Sequence, residues 1–89
     1  MVQKEVIIVN KLGLHARAAA KLVTLASSFS CNIDISRDGQ TVNGKSIMGV
    51  MMLAASRGTE LTLIATGVDE QEAADSIAQL IAGRFGEHE

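Results

Sequence analysis

The stretch TELTLIATG, Thr59–Gly67, alternates Leu61, Leu63 and Ala65 against Glu60, Thr62 and Thr66. Successive strand side chains point to opposite faces, so this period predicts a strand with one dry face and one wet face. A chain built around such a strand gathers its helices on a single side of the sheet. Other segments agree. EVIIVN, residues 5–10, is short and β-branched and ends at Asn10 and Gly13, which predicts a first strand. NIDIS repeats the alternation with Ile33 and Ile35 on one face, Asp38-Gly39 is a hairpin signal, and Thr41 and Val42 make a short return strand.

Three helical patterns separate these strands. From Ala16 to Phe29 apolar residues recur at Ala19, Leu22, Val23, Ala26 and Phe29, and Ser27, Ser28 and Ser30 mark the end. SIMGVMMLAAS is too apolar to alternate; it predicts a short helix from Ile47 to about Ala54, capped by Ser46. DEQEAADSIAQLIAGRF predicts the last helix. Asp69 and Glu72 form a capping-box pattern, Ala73, Ala74, Ile77, Leu80, Ile81 and Phe85 form the inward stripe, and Arg84 suits the C-terminal end. The expected fold is α+β, β-α-β-β-α-β-α: a four-stranded antiparallel sheet with three helices on one face, in one domain spanning residues 1–89.

Composition narrows the function. At net charge −2, with no basic run and only Phe29 and Phe85 as aromatics, the chain offers neither phosphate-neutralising clusters nor a base-stacking platform. Nucleic acid is therefore not an expected partner. No run approaches the roughly 18 apolar residues of a membrane span, and MVQKEVIIVN carries charges inside its apolar part, so no membrane segment or signal peptide is expected and the cytoplasm is the expected location. Cys31 is alone, which rules out an internal disulfide and suits a small buried filler.

The chemistry concentrates in NKLGLHARAAAKLV. His15 stands where the first helix begins. The first amides of a helix lack partners and carry partial positive charge, which favours the neutral, nucleophilic ring and cradles any anion attached to it. Backbone donors are expected from Ala16, Arg17 and Ala18. The Arg17 guanidinium adds a cation suited to phosphate oxygens. The pair fits a histidine that becomes an anion carrier, with a phosphoryl group the obvious anion; it fits equally a plain charged helix end. No second His, Cys or carboxylate lies nearby in sequence to form a metal site, no Ser/Asp partner suggests a hydrolytic triad, and His88, in the tail GEHE, is expected to be solvated and idle.

GLHARAAAKLV, VNGKSIMGVMML and SRGTELTLIATGVDEQEA together resemble the HPr family, the histidine phosphocarriers of the bacterial phosphoenolpyruvate-dependent phosphotransferase system, over nearly the whole chain. The resemblance implies an open-faced β-sandwich that is a substrate of enzyme I rather than an enzyme, needs no cofactor or metal, and works as a monomer. It implies that enzyme I, charged from phosphoenolpyruvate, phosphorylates Nδ1 of His15, that Arg17 supports the phosphoryl group, and that an enzyme IIA domain of sugar or nitrogen type receives it. The family usually has proline three residues after the histidine. Ala18 stands here instead, which looks like the nitrogen-related NPr branch and leaves the acceptor open.

GKSIMGVMM resembles the site modified by the ATP-dependent HPr kinase/phosphorylase, which implies regulatory phosphorylation at Ser46. A helix cap is by itself a sufficient reason for that serine. A short helix apolar all round cannot bury every face in a two-layer domain, so some of Met48, Met51 and Met52 should be exposed. Met48 and Met51, with Ile47 and Met52, are the expected docking residues. Two rivals stay open: a small ligand-binding regulatory module, which has no need of His15 or Arg17, and a non-phosphorylated interaction paralogue, which has no need to keep His15.

Overall fold

A computed structural model describes all 89 residues. The elements run β1 (Val2–Ile7), α1 (Ala16–Ser27), β2 (Asn32–Arg37), β3 (Gln40–Asn43), α2 (Ile47–Met52), β4 (Glu60–Thr66) and α3 (Glu70–Ala82), with a closing 3-10 turn at Arg84–Gly86. The strands form one sheet in the order β1-β4-β2-β3, every neighbouring pair antiparallel. In β4, Leu61, Leu63 and Ala65 are buried while Glu60 and Thr66 are exposed. They join Ile33 and Ile35 of β2 under the helices, which contribute Ala18, Ala19, Leu22 and Ala26 from α1, Val50 from α2, and Ala73, Ala74, Ile77 and Ile81 from α3. This is the open-faced β-sandwich of the resemblance, its helices on one face. No helix is long and apolar enough to cross a membrane.

The β2–β3 hairpin turns at Asp38 and Gly39, whose φ values of 48° and 84° give the doubly left-handed turn that matches strand twist. Element ends differ from the sequence pattern for local reasons. β1 stops at Ile7 rather than Asn10, because Ile8 is held by single backbone bonds to Thr59 and from Gly58 and the chain then turns inward at the buried Asn10. α1 stops at Ser27, with Phe29 beyond it yet still packed on the core. α2 stops at Met52, because Ala54 adopts φ +50° and the Arg37 guanidinium donates to the carbonyl oxygens of Leu53 and Ala54 at 2.5 and 3.0 Å.

The capping box expected at α3 is not formed. Asp69 is the N-cap residue, but its carboxylate accepts instead from the amides of Ser30 and Cys31 at 2.8 and 2.9 Å, tying the end of α1 to the start of α3. The Ser30 amide is the leading reason the Asp69 carboxyl is held below its usual range. Glu70, the first residue of α3, reaches back outside the helix to accept from the Gly67 amide and pairs with the Met1 ammonium at 2.6 Å. Cys31 is buried, and burial pushes its thiol above the usual range.

The largest departure lies at the C-terminus. Phe85 is buried as its place in the stripe suggests, but not by continuing the helix. After Gly83, Arg84 and Phe85 take φ values of 60° and 55°, which reverses the chain. Left-handed backbone is disfavoured for such residues. Here full burial of the Phe85 ring and a 2.6 Å hydrogen bond from Lys21 Nζ to the Phe85 carbonyl hold it in place.

Candidate helix-mouth site

Gly13 sets the entry to α1. Its φ is +68°, and a Cβ there would stand 2.5 Å from the Ala55 carbonyl oxygen, so only glycine fits. The next amide, Leu14, donates to that same carbonyl at 2.8 Å, fastening the loop before His15 to the segment after α2. His15 then occupies the N-cap position in an extended conformation, and its carbonyl accepts the first helical bond, from Ala19, at 2.8 Å. Its ring makes no cap hydrogen bond. Ala16, Arg17 and Ala18 donate to no backbone carbonyl, as a helix start dictates.

An open cleft lies over this mouth, lined by Lys11, Leu12, His15, Ala16, Arg17 and the tail residues Glu87, His88 and Glu89. Arg17 is exposed and pairs with no carboxylate, so its guanidinium is available to a bound anion. Ala18 departs from expectation. It does not line the cleft; it is fully buried, because its methyl belongs to the inward stripe of α1 with Ala19 and Leu22. The accessible backbone donors are therefore those of Ala16 and Arg17.

The residue that sequence reasoning missed is Glu87. The reversed tail brings its carboxylate back over the start of α1, where one oxygen accepts from His15 Nε2 and the other from Asn10 Nδ2 at 3.0 Å. Asn10 is itself fully buried and also donates to the Gly13 carbonyl at 2.9 Å. Its hydrogen bond is the leading cause holding the Glu87 carboxyl below the usual range, against the opposing effect of burial and with further help from His15. His88 is exposed as expected, and only its carbonyl is engaged, by Arg84 at 3.3 Å. Lys11 closes the tail with an ion pair to Glu89 at 3.3 Å.

Ser46 caps α2, its hydroxyl accepting from the Gly49 amide at 3.1 Å. α2 buries only Val50. Ile47, Met48, Met51 and Met52 are all exposed, Met48 at 73% and Met52 at 66%, so this helix carries an apolar surface rather than core. It packs against α1, the helix that His15 begins. No cluster of three or more His, Cys, Asp or Glu side chains is arranged to hold a metal ion.

The fold and the site define a small two-layer sheet-and-helix domain with a partly exposed histidine and an exposed arginine at the mouth of α1. The sequence profile described as "PTS HPr component phosphorylation site" matches residues 2–83, so the chain belongs to the HPr family of phosphocarrier proteins, components of the phosphotransferase system and not catalytic enzymes. It is 57% identical to a phosphocarrier protein HPr of Cupriavidus necator over 89 residues, the whole of both chains. An HPr crystal structure from Thermoanaerobacter tengcongensis superposes with a TM-score of 0.97 at 46% identity, covering both chains completely. The Bacillus subtilis catabolite-repression protein Crh, 50% identical, has a TM-score of 0.75 over 92% of this chain and 94% of that one, and its structure is described as a swapped dimer.

Proposed function

We propose that this protein accepts a phosphoryl group from phosphorylated enzyme I, itself charged from phosphoenolpyruvate, on Nδ1 of His15 and passes it to an enzyme IIA domain. The observation that carries this reading is the placement of His15 at the mouth of α1, beside the free amides of Ala16 and Arg17 and an unpaired guanidinium. Three oxygens of a phosphoryl group on that ring would find positive potential from both sources. The proposed working state is a monomer in the cytoplasm, with the dimers seen in the structures of Crh and of the Thermoanaerobacter tengcongensis HPr as the alternative that a solution mass measurement decides. Ile47, Met48, Met51 and Met52 form the surface on which successive partners dock, with methionine adapting to different contours. Incubation with enzyme I and labelled phosphoenolpyruvate tests the reading: the chain should gain one acid-labile, alkali-stable phosphate. Absence of such labelling removes it.

The Arg17→Ala variant should keep its fold, since an exposed first-turn charge affects stability by about 0.5 kcal/mol or less. Phosphoryl transfer should slow in both directions, because the guanidinium acts on charge that builds on the moving group. Stopped-flow transfer at the wild-type rate would leave the backbone amides sufficient on their own.

Ser46 is proposed as a regulatory site for an ATP-dependent kinase of the HPr kinase/phosphorylase type. Aspartate is a good N-cap, so Ser46→Asp should preserve α2 and the melting temperature. The charge would nonetheless sit at the start of the apolar docking helix and oppose acidic groups on a partner. Acceptance from enzyme I should weaken, seen as a raised KM; an unchanged KM would separate Ser46 from docking.

A further inference from the structure

The geometry points to Glu87 as a positioning residue, held by Asn10, that fixes the proton of His15 on Nε2 and thereby leaves Nδ1 as the nucleophile. This rests on His15 being the phosphoryl acceptor. A neutral imidazole has one protonated and one free nitrogen, and the partner of either one decides which is which. A carboxylate can only accept, so its contact with His15 assigns the proton to Nε2. Nδ1 has no hydrogen-bond partner in the chain and keeps its lone pair.

Two features make this more than a surface contact. Glu87 is itself held: its second oxygen takes the Asn10 amide, and Asn10 is buried and oriented because its other contact is the Gly13 carbonyl, so the amide nitrogen must face both acceptors. The tail that delivers Glu87 is anchored by the buried Phe85 and by Lys21. The carboxylate is thus fixed from the loop before α1 and from the turn after α3, two places about as far apart in sequence as the chain allows.

The same contact serves the transfer step. The Nδ1 lone pair forms the bond to phosphorus while the bond from phosphorus to the donor breaks, and that electron pair leaves with the donor. The ring keeps its Nε2 proton and becomes a positively charged phosphoimidazolium, paired with the Glu87 carboxylate. When the acceptor attacks phosphorus, the Nδ1–P electron pair returns to the ring, and the neutral Nε2–H tautomer is restored. No proton has to enter or leave in either direction. A carboxylate that orients a histidine and pairs with its charged form does comparable work in other sites.

Nitrogen-15 NMR of the His15 ring in the unphosphorylated protein tests this independently of any phosphotransfer partner. The wild type should show a pyridine-like Nδ1 and a pyrrole-like Nε2. Glu87→Gln can present its amide N–H to Nε2 and should shift the population toward the Nδ1–H form; Glu87→Ala should leave a mixture. In both, the initial rate of phosphorylation by enzyme I should fall at least about tenfold, with the melting temperature nearly unchanged. A wild-type ring that is mainly Nδ1–H, or a Glu87→Gln variant with unchanged ring shifts and unchanged rate, overturns the assignment. Failure of the wild type to be phosphorylated at all would instead remove the acceptor reading, while the ring shifts still decide what Glu87 does to the tautomer.

Discussion

His15→Ala accepts no phosphoryl group from enzyme I. This is the largest functional effect expected of any single substitution, because the variant deletes the nucleophile while leaving its cradle in place. The fold should survive. The ring makes no cap bond and is partly exposed, and its one hydrogen bond, to Glu87, is a half-buried contact whose loss leaves the Glu87 carboxylate still held by Asn10. Thermal unfolding should therefore stay close to wild type, and loss of labelling can be read as loss of the acceptor. His88 offers the internal comparison: it is exposed, its ring is unbound, and His88→Ala should be labelled normally. Labelling that persists in a folded His15→Ala chain would place the acceptor elsewhere.

The largest effect on stability belongs to Phe85→Ala. Its ring is among the largest fully buried side chains, and a phenylalanine-to-alanine change in a core costs about 3–5 kcal/mol. In a domain of this size that lowers the melting temperature by more than about 10 °C. The variant also loosens the left-handed turn at Arg84 and Phe85, whose backbone is held by that burial, and so frees Glu87 from His15. Below the melting transition the chain should keep its sheet and helices by circular dichroism while the His15 ring loses its fixed tautomer. A loss of stability under about 1 kcal/mol would show that the tail does not belong to the core.

Most of the fold is legible in the sequence because it rests on local periods. The alternation in β4 and β2 and the Asp38-Gly39 turn each dictate a structure that neighbouring residues suffice to specify. The placement of His15, Arg17 and Ser46 at helix starts is legible for the same reason, since helix starts have a recognisable chemistry. What could not be read depends on partners distant in sequence. Asp69 and Glu72 have the spacing of a capping box, yet Asp69 finds the Ser30 and Cys31 amides, 39 and 38 residues away. Glu87 meets His15 across 72 residues through a turn in which two non-glycine residues are left-handed, a conformation that their identities disfavour. Phe85 beyond Gly83 was the available signal: a large apolar side chain after a helix stop has to be buried by a returning chain. Ala18 turns away from the cleft for a simpler reason: its place in the first turn is also a place on the inward stripe, and packing decides between them.

The most direct measurement is the phosphorus-31 NMR spectrum of the protein after reaction with phosphoenolpyruvate and a catalytic amount of enzyme I. The account predicts a single phosphoramidate resonance of the Nδ1-phosphohistidine type, lost in acid, absent from His15→Ala and retained in His88→Ala. A spectrum without a phosphoramidate, or one whose phosphoramidate survives in His15→Ala, would contradict it.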